Sequence, residues 1–152
     1  MRTFIGIDPG KSGALALLHE DGDIETFAFD SSVYVDVLRR VSDYHTPFCC
    51  VEKVGAMPGQ GVVSMFNFGH NFGFIEGVLR AYSIPYQLVP PQTWKKEFSL
   101  SSEKAKSIEV CQRLFPHANL LATERSRKPN DGIAEALLMA EYARRKYCNG
   151  RY

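Results

Sequence analysis

The chain has 152 residues, 45% hydrophobic and 23% charged, which is the balance of a globular domain with a real core rather than a disordered or fibrous chain. No apolar run reaches the ~18 residues of a membrane-spanning helix, and the first residues read as a strand rather than a secretion signal. The four cysteines, Cys49, Cys50, Cys111 and Cys148, make neither a CxxC pair nor a zinc-ligand spacing. They are read as reduced thiols, with Cys49 and Cys50 in the core on opposite faces of one strand. The net charge of +1 conceals an asymmetry: residues 1–90 carry 6 basic and 10 acidic side chains, residues 91–152 carry 12 and 7. A basic C-terminal part can supply a phosphate-binding face without raising the overall charge.

Arg2 to Asp8 reads as a strand, and Pro9-Gly10-Lys11-Ser12-Gly13 as the turn that follows it. Ala14 to His19 is a second strand, Asp21-Gly22 a hairpin signal and Ile24 to Phe29 a third strand, giving an antiparallel meander. Ser31 or Ser32 caps a helix to about Tyr44, with Val33, Val37, Leu38 and Val41 on one face. Residues 48–54 form a fourth strand whose unbroken apolar run suits a central position. After a glycine-rich loop, a helix runs from Val62 to Tyr82, followed by a short strand from Tyr86 to Val89 that Pro90-Pro91 ends. Ser101 or Ser102 starts a helix to about Phe115, residues 116–130 are irregular and polar, and a last helix spans Asp131 to Tyr147. This order predicts one α/β domain over residues 1–152, a mixed five-stranded sheet flanked by helices.

Four acids stand out because each sits in or beside an apolar stretch, where an unpaired carboxylate is costly to bury. Asp8 ends the first strand, and Glu52 follows Phe48-Cys-Cys-Val51 on the fourth. Asp131 and Glu135 are four residues apart, so a helix puts both on one face at its N-terminal end. Taken singly, Asp131 also reads as a helix cap, Glu135 as a solvated helix residue and Asp8 as a turn residue. Glu52 resists such a reading, since a Glu among Val, Cys and Phe is unfavourable by strand propensity and by burial. Together, two strand-end acids and two helix-face acids suit hard divalent cations, Mg²⁺ with Mn²⁺ as a substitute. Two such ions about 3.5–4 Å apart clamp the attacking and leaving oxygens of an in-line phosphoryl transfer.

The runs Ile5-Gly-Ile-Asp8-Pro-Gly10 with Gly13, Val51-Glu52, and Asp131-Gly-Ile-Ala-Glu135-Ala-Leu137 resemble the RuvC-type Holliday-junction resolvases, most closely the compact bacteriophage members. That family lies in the ribonuclease H-like superfamily. The resemblance spans nearly the whole chain and implies a homodimeric, Mg²⁺-dependent endonuclease. Such an enzyme nicks four-way DNA junctions symmetrically and leaves 5′-phosphate and 3′-hydroxyl ends. It implies metal ligands at Asp8, Glu52, Asp131 and Glu135, and a setting in a bacterial or phage-infected cytoplasm. Two departures stand out: the last acid is Glu135 where Asp is common, and Gly132 occupies a position where many relatives have a second Asp.

The resemblance further implies phosphate-side lysines at Lys95 and Lys104, the latter also near the scissile bond. Lys11 and the cluster Arg125, Arg127 and Lys128 are further phosphate candidates, each with a solvated-surface alternative. Gly69, Gly73 and Gly77 make a small-residue stripe on one helix, read either as close packing within the chain or as a dimer face. Phe66, Phe68, Phe72 and Phe74 read mostly as core, His70 as a structural histidine, Trp94 as a packing anchor, and Met57 or Phe66 as the stand-in for the family's aromatic wedge. The alternatives are another ribonuclease H-like nuclease, acting on pre-ribosomal RNA, flaps or forks, and a junction-binding module that does not cut. An actin-like ATPase needs a second half and a later phosphate loop for which 152 residues leave little room.

Overall fold

The computed structural model describes residues 1–10, 12–55, 59–101 and 104–148, with the backbone alone at 104 and 105. Its elements are β1 (Arg2–Asp8), β2 (Ala14–His19), β3 (Ile24–Ala28), α1 (Ser31–Tyr44), β4 (Thr46–Glu52), α2 (Val62–Ala81), β5 (Tyr86–Val89), α3 (Pro91–Glu97), α4 (Lys104–Leu114) and α5 (Asp131–Tyr147). The five strands form one sheet in the order β3-β2-β1-β4-β5. The meander β1-β2-β3 is antiparallel, while β4 and β5 run parallel to β1. None of the described helices is long and apolar enough to cross a membrane.

Alternation along the strands divides the core in two. Ile5, Ile7, Leu15, Leu17, Cys49 and Val51 face α1 and α2, meeting Tyr34, Leu38, Val41, Ile75 and Leu79. Phe4, Ala14, Ala16, Phe48 and Cys50 face α5, meeting Ile133, Leu137 and Met139. The adjacent thiols Cys49 and Cys50 therefore lie in opposite halves of the core.

Helix α5 lies against β1 with almost no clearance. A Cβ on Gly6 would stand 1.9 Å from the Ala136 carbonyl oxygen and 2.5 Å from the Ala140 nitrogen. One turn earlier, a Cβ on Gly132 would stand 2.2 Å from the Ser12 carbonyl oxygen. Gly132, Ala136 and Ala140 thus form the small stripe on which the helix sits, four residues apart. The same geometry explains the departure at position 132, because any side chain there would strike the β1–β2 turn.

The structure corrects several boundaries. Asp30, not Ser31 or Ser32, caps α1: its carboxylate accepts from the Ser32 and Val33 amides at 3.0 and 3.2 Å. The fourth strand begins and ends two residues earlier than expected, because Thr46 and Pro47 pair with Arg2 and Thr3. Helix α3 was not anticipated. Pro90 precedes it as N-cap and Pro91 opens it, so the proline pair that ends β5 also starts a helix. At α4, Ser101 precedes the helix, and the alternative cap Ser102 lies outside the described residues.

Candidate active site

The four acids meet at one end of the sheet for reasons of parity and register. On β1, Asp8 shares the α5-facing side with Phe4 and Gly6; on β4, Glu52 shares it with Phe48 and Cys50. Ile7 pairs with Val51 in parallel, so Asp8 and Glu52 follow at the carboxyl ends of neighbouring strands. This is the end of a parallel pair at which open α/β sheets place their ligands. The seating of α5 on Gly6 then brings its N-terminal turn, with Asp131 and Glu135, over the same strand ends.

Each acid has a local anchor or neighbour. Asp8 accepts a hydrogen bond from the Gly10 amide at 3.0 Å, and Gly13 closes the turn by donating to the Gly10 carbonyl at 2.8 Å. Asp8 is thus both the turn residue and a cleft residue. Asn130 is the cap of α5, its side chain accepting from the Ile133 amide at 3.0 Å, so the cap reading of Asp131 does not hold. Glu135 is 9% exposed and Glu52 8%, which removes the solvated reading of Glu135.

The cluster is electrostatically loaded. Burial, and then the charges of Asp8, Glu52 and Asp131, push the Glu135 carboxyl up from 4.5 to about 7. Glu52 is also raised, by burial and by Asp8, against the opposing pull of the Trp94 hydrogen bond and Lys95. Lys95 Nζ lies 4.0 Å from Glu135 Oε1, and it also lies 5.6 Å from the centre of the Trp94 ring. Lys95, expected on the phosphate side, lies beside Glu135. Trp94, expected only as packing, is fully buried and donates its indole N–H to Glu52 Oε2 at 2.8 Å.

Asp8, Gly10 and Glu52 line a cleft of about 590 Å³ whose opposite wall is Gln60, Ser64, Asn67, Phe68, His70 and Asn71. Those polar wall residues escaped the sequence reading, although Ser64, Asn67 and Asn71 recur at helical spacing on a helix otherwise rich in Phe, Val and Gly. His70 is exposed and part of this wall, not a buried structural histidine. Of the aromatics, Phe72 and Phe74 pack against the core, Phe68 lines the cleft, and Phe66 is 73% exposed.

The remaining candidates divide. Arg125, Arg127 and Lys128 are exposed on the loop that enters α5 but do not line the cleft. Lys11 and Met57, and the side chain of Lys104, lie outside the described residues. At Gly69, Gly73 and Gly77 a Cβ would meet nothing within 4 Å. Among the described residues the stripe therefore packs closely against nothing.

The donor set is all hard oxygen, which suits Mg²⁺ or Mn²⁺. Among the described residues, no three His, Cys, Asp or Glu side chains converge tightly enough to hold a single ion.

No protein-family model matches the sequence, and a search of curated proteins finds no match. Comparison with solved structures does find relatives in shape. RuvC of T. thermophilus in complex with a Holliday junction substrate aligns with a TM-score of 0.66 and 13% identity, over 98% of this chain and 96% of that one. A second Thermus thermophilus RuvC structure aligns at 0.60 and 16% identity, over 95% and 96%. The yeast mitochondrial Holliday junction resolvase Ydc2 aligns at 0.50 and 14%, over 90% and 75%. Over nearly its whole length the chain therefore has the ribonuclease H-like fold seen in the RuvC structures.

Proposed function

We propose that this chain is a metal-dependent endonuclease that resolves four-way DNA junctions as a homodimer, within a single domain. The observation that supports the reading is a pair of acids, Asp8 and Glu52, lining one cleft at the strand ends, with Glu135 near enough that, after burial, their charges and that of Asp131 raise its carboxyl to about 7. Lys95 stands 4.0 Å from Glu135, and divalent ions with a phosphodiester would balance the charge of the acids. The likeness in fold to RuvC, whose structure contains a Holliday junction, supports the choice of substrate.

Asp8 and Glu52 would hold ions from the sheet side and Glu135 from the helix side, and Asp131 would complete the set from the first turn of α5. When bound, the ions supply Lewis-acid charge at the phosphate and lower the pKa of a water to make a nucleophile. The residues do the rest. The Asp8 turn and the α5 seat fix where the carboxylates stand, and Lys95 offsets their repulsion and reaches toward the scissile phosphate. The wall of Gln60, Ser64, Asn67 and Asn71 offers hydrogen-bonding groups to the strand lying in the cleft. Lys11, Lys104, Arg125, Arg127 and Lys128 hold the arms through phosphates, with Lys104 also near the scissile bond.

Symmetric nicking requires two sites. The outward face of α2 suits a second copy: Val62, Val63 and Phe66 are 87%, 72% and 73% exposed, and the three glycines present a surface without side chains. A helix of a partner chain can approach such a face closely. Asp8→Asn and Glu52→Gln test the reading. Each is expected to abolish nicking of a labelled four-way junction while leaving junction binding intact. A variant that cuts at the normal rate removes that residue from the site.

A further inference from the structure

We infer that Trp94 is a positioning residue for Glu52, holding that carboxylate so that it presents one oxygen to the cleft and thereby favours Mg²⁺ over Ca²⁺. The inference rests on the metal-site reading above.

Trp94 is the single tryptophan of the chain and is fully buried in the middle of α3. Its place follows from topology. Glu52 pairs with Val89 at the end of β5, and the chain then turns through Pro90 into α3. The indole is thus delivered beside the carboxylate at the end of the neighbouring strand. Its N–H meets Glu52 Oε2 at 2.8 Å, with both groups buried. A buried indole needs an acceptor, and here the acceptor is an acid of the cleft rather than a backbone carbonyl.

The consequence concerns denticity. The hydrogen bond engages Oε2 and stops rotation of the carboxylate, and among the described residues no donor reaches Oε1. Glu52 therefore enters the cleft with Oε1 as its unencumbered ligand. A one-oxygen carboxylate fits the strict octahedron of Mg²⁺, whereas Ca²⁺ accepts a two-oxygen carboxylate in a larger, more flexible shell. An unpinned Glu52 loses this bias. The neighbouring Lys95, over the Trp94 ring and 4.0 Å from Glu135, ties the same short helix to the second buried acid.

The test compares the full-length wild-type protein with Trp94→Phe, which keeps most of the buried apolar volume and removes the donor. Mg²⁺ and Ca²⁺ binding to each are measured by calorimetry without DNA. For Trp94→Phe we expect the Mg²⁺ dissociation constant to rise about tenfold, the loss of a hydrogen bond to a charged acceptor, with Ca²⁺ affinity unchanged or tighter. Equal Mg²⁺ and Ca²⁺ constants in the two proteins overturn the inference while leaving the metal site standing. Absence of any Mg²⁺ binding by the wild type overturns the metal-site reading, and this inference with it. Should Trp94→Phe fail to fold, the wild-type indole emission decides. It is expected to change with Mg²⁺ and to saturate with the calorimetric isotherm, and an unchanged spectrum at saturating Mg²⁺ refutes the contact.

Discussion

Replacing Glu135 by Gln should stabilise the metal-free protein while destroying its metal response, and the size of the effect follows from the cleft. In the folded chain the carboxyl is raised from 4.5 to about 7 by burial and by Asp8, Glu52 and Asp131. In the unfolded chain it titrates near its ordinary value. Below pH 4.5 the group is protonated in both states and costs nothing. As pH rises toward 7 the unfolded chain ionises freely and the folded one does not, so stability falls; above 7 the full penalty is present. At ~1.4 kcal/mol per pKa unit the ceiling is about 3 kcal/mol. Solvent screening reduces this to roughly 1–2 kcal/mol, a rise in Tm of about 2–8 °C for the Gln variant at pH 8 in EDTA. The assay is thermal unfolding of both proteins from pH 4 to 8, with EDTA and with Mg²⁺. The variant should match wild type at pH 4 and exceed it increasingly toward pH 8. Mg²⁺ should raise the wild-type Tm by mass action and the variant's Tm by less. A Gln variant no more stable at pH 8, or a gap independent of pH, refutes the claim that burial and the neighbouring acids raise this carboxyl.

Three further perturbations address the scaffold and the substrate. Gly6→Ala places a methyl 1.9 Å from the Ala136 carbonyl and must lift α5 from β1. We expect about 1–3 kcal/mol of destabilisation in urea and a larger loss of nicking, since Asp131 and Glu135 move with the helix; unchanged unfolding would show that α5 is not seated there. Phe66→Glu puts charge on the exposed α2 face and should convert a dimer to a monomer in sedimentation, with Tm little altered. Lys104→Ala should weaken junction binding and lower the slope of log affinity against log salt by about 1, and an unchanged slope would return Lys104 to the solvated surface.

Much of this architecture was legible in the sequence because local pattern and tertiary demand agree. The alternation of β1 to β3 and the apolar run of β4 each have one economical reading, and the structure follows them, whereas Asp131 and Glu135 read equally as a cap and a solvated residue until the Asn130 cap and the burial of Glu135 are seen. What was hidden depends on contacts between distant parts of the chain. Pro90-Pro91 reads as a strand terminator, yet a proline is equally at home in the first turn of a helix, and α3 begins there. The role of Trp94 depends on Glu52, 42 residues away, and the available signal was a lone tryptophan in need of an acceptor beside a displaced acid. Gly132 looks like a missing ligand until the Ser12 carbonyl is seen 2.2 Å from where its Cβ would be. The glycines of α2 were equally consistent with inward and outward packing, because periodicity gives a helix a stripe without saying what covers it.

The central claim is best tested with a synthetic four-way junction labelled on each strand in turn, set against a linear duplex of the same sequence, in Mg²⁺ and in EDTA. The account predicts paired nicks at symmetric positions on opposing strands of the junction, ligatable ends, and no cutting of the duplex or in EDTA. Equal cutting of flaps, forks or RNA would keep the nuclease site and contradict the junction substrate. Tight junction binding with no cleavage under any divalent metal would contradict the nuclease itself.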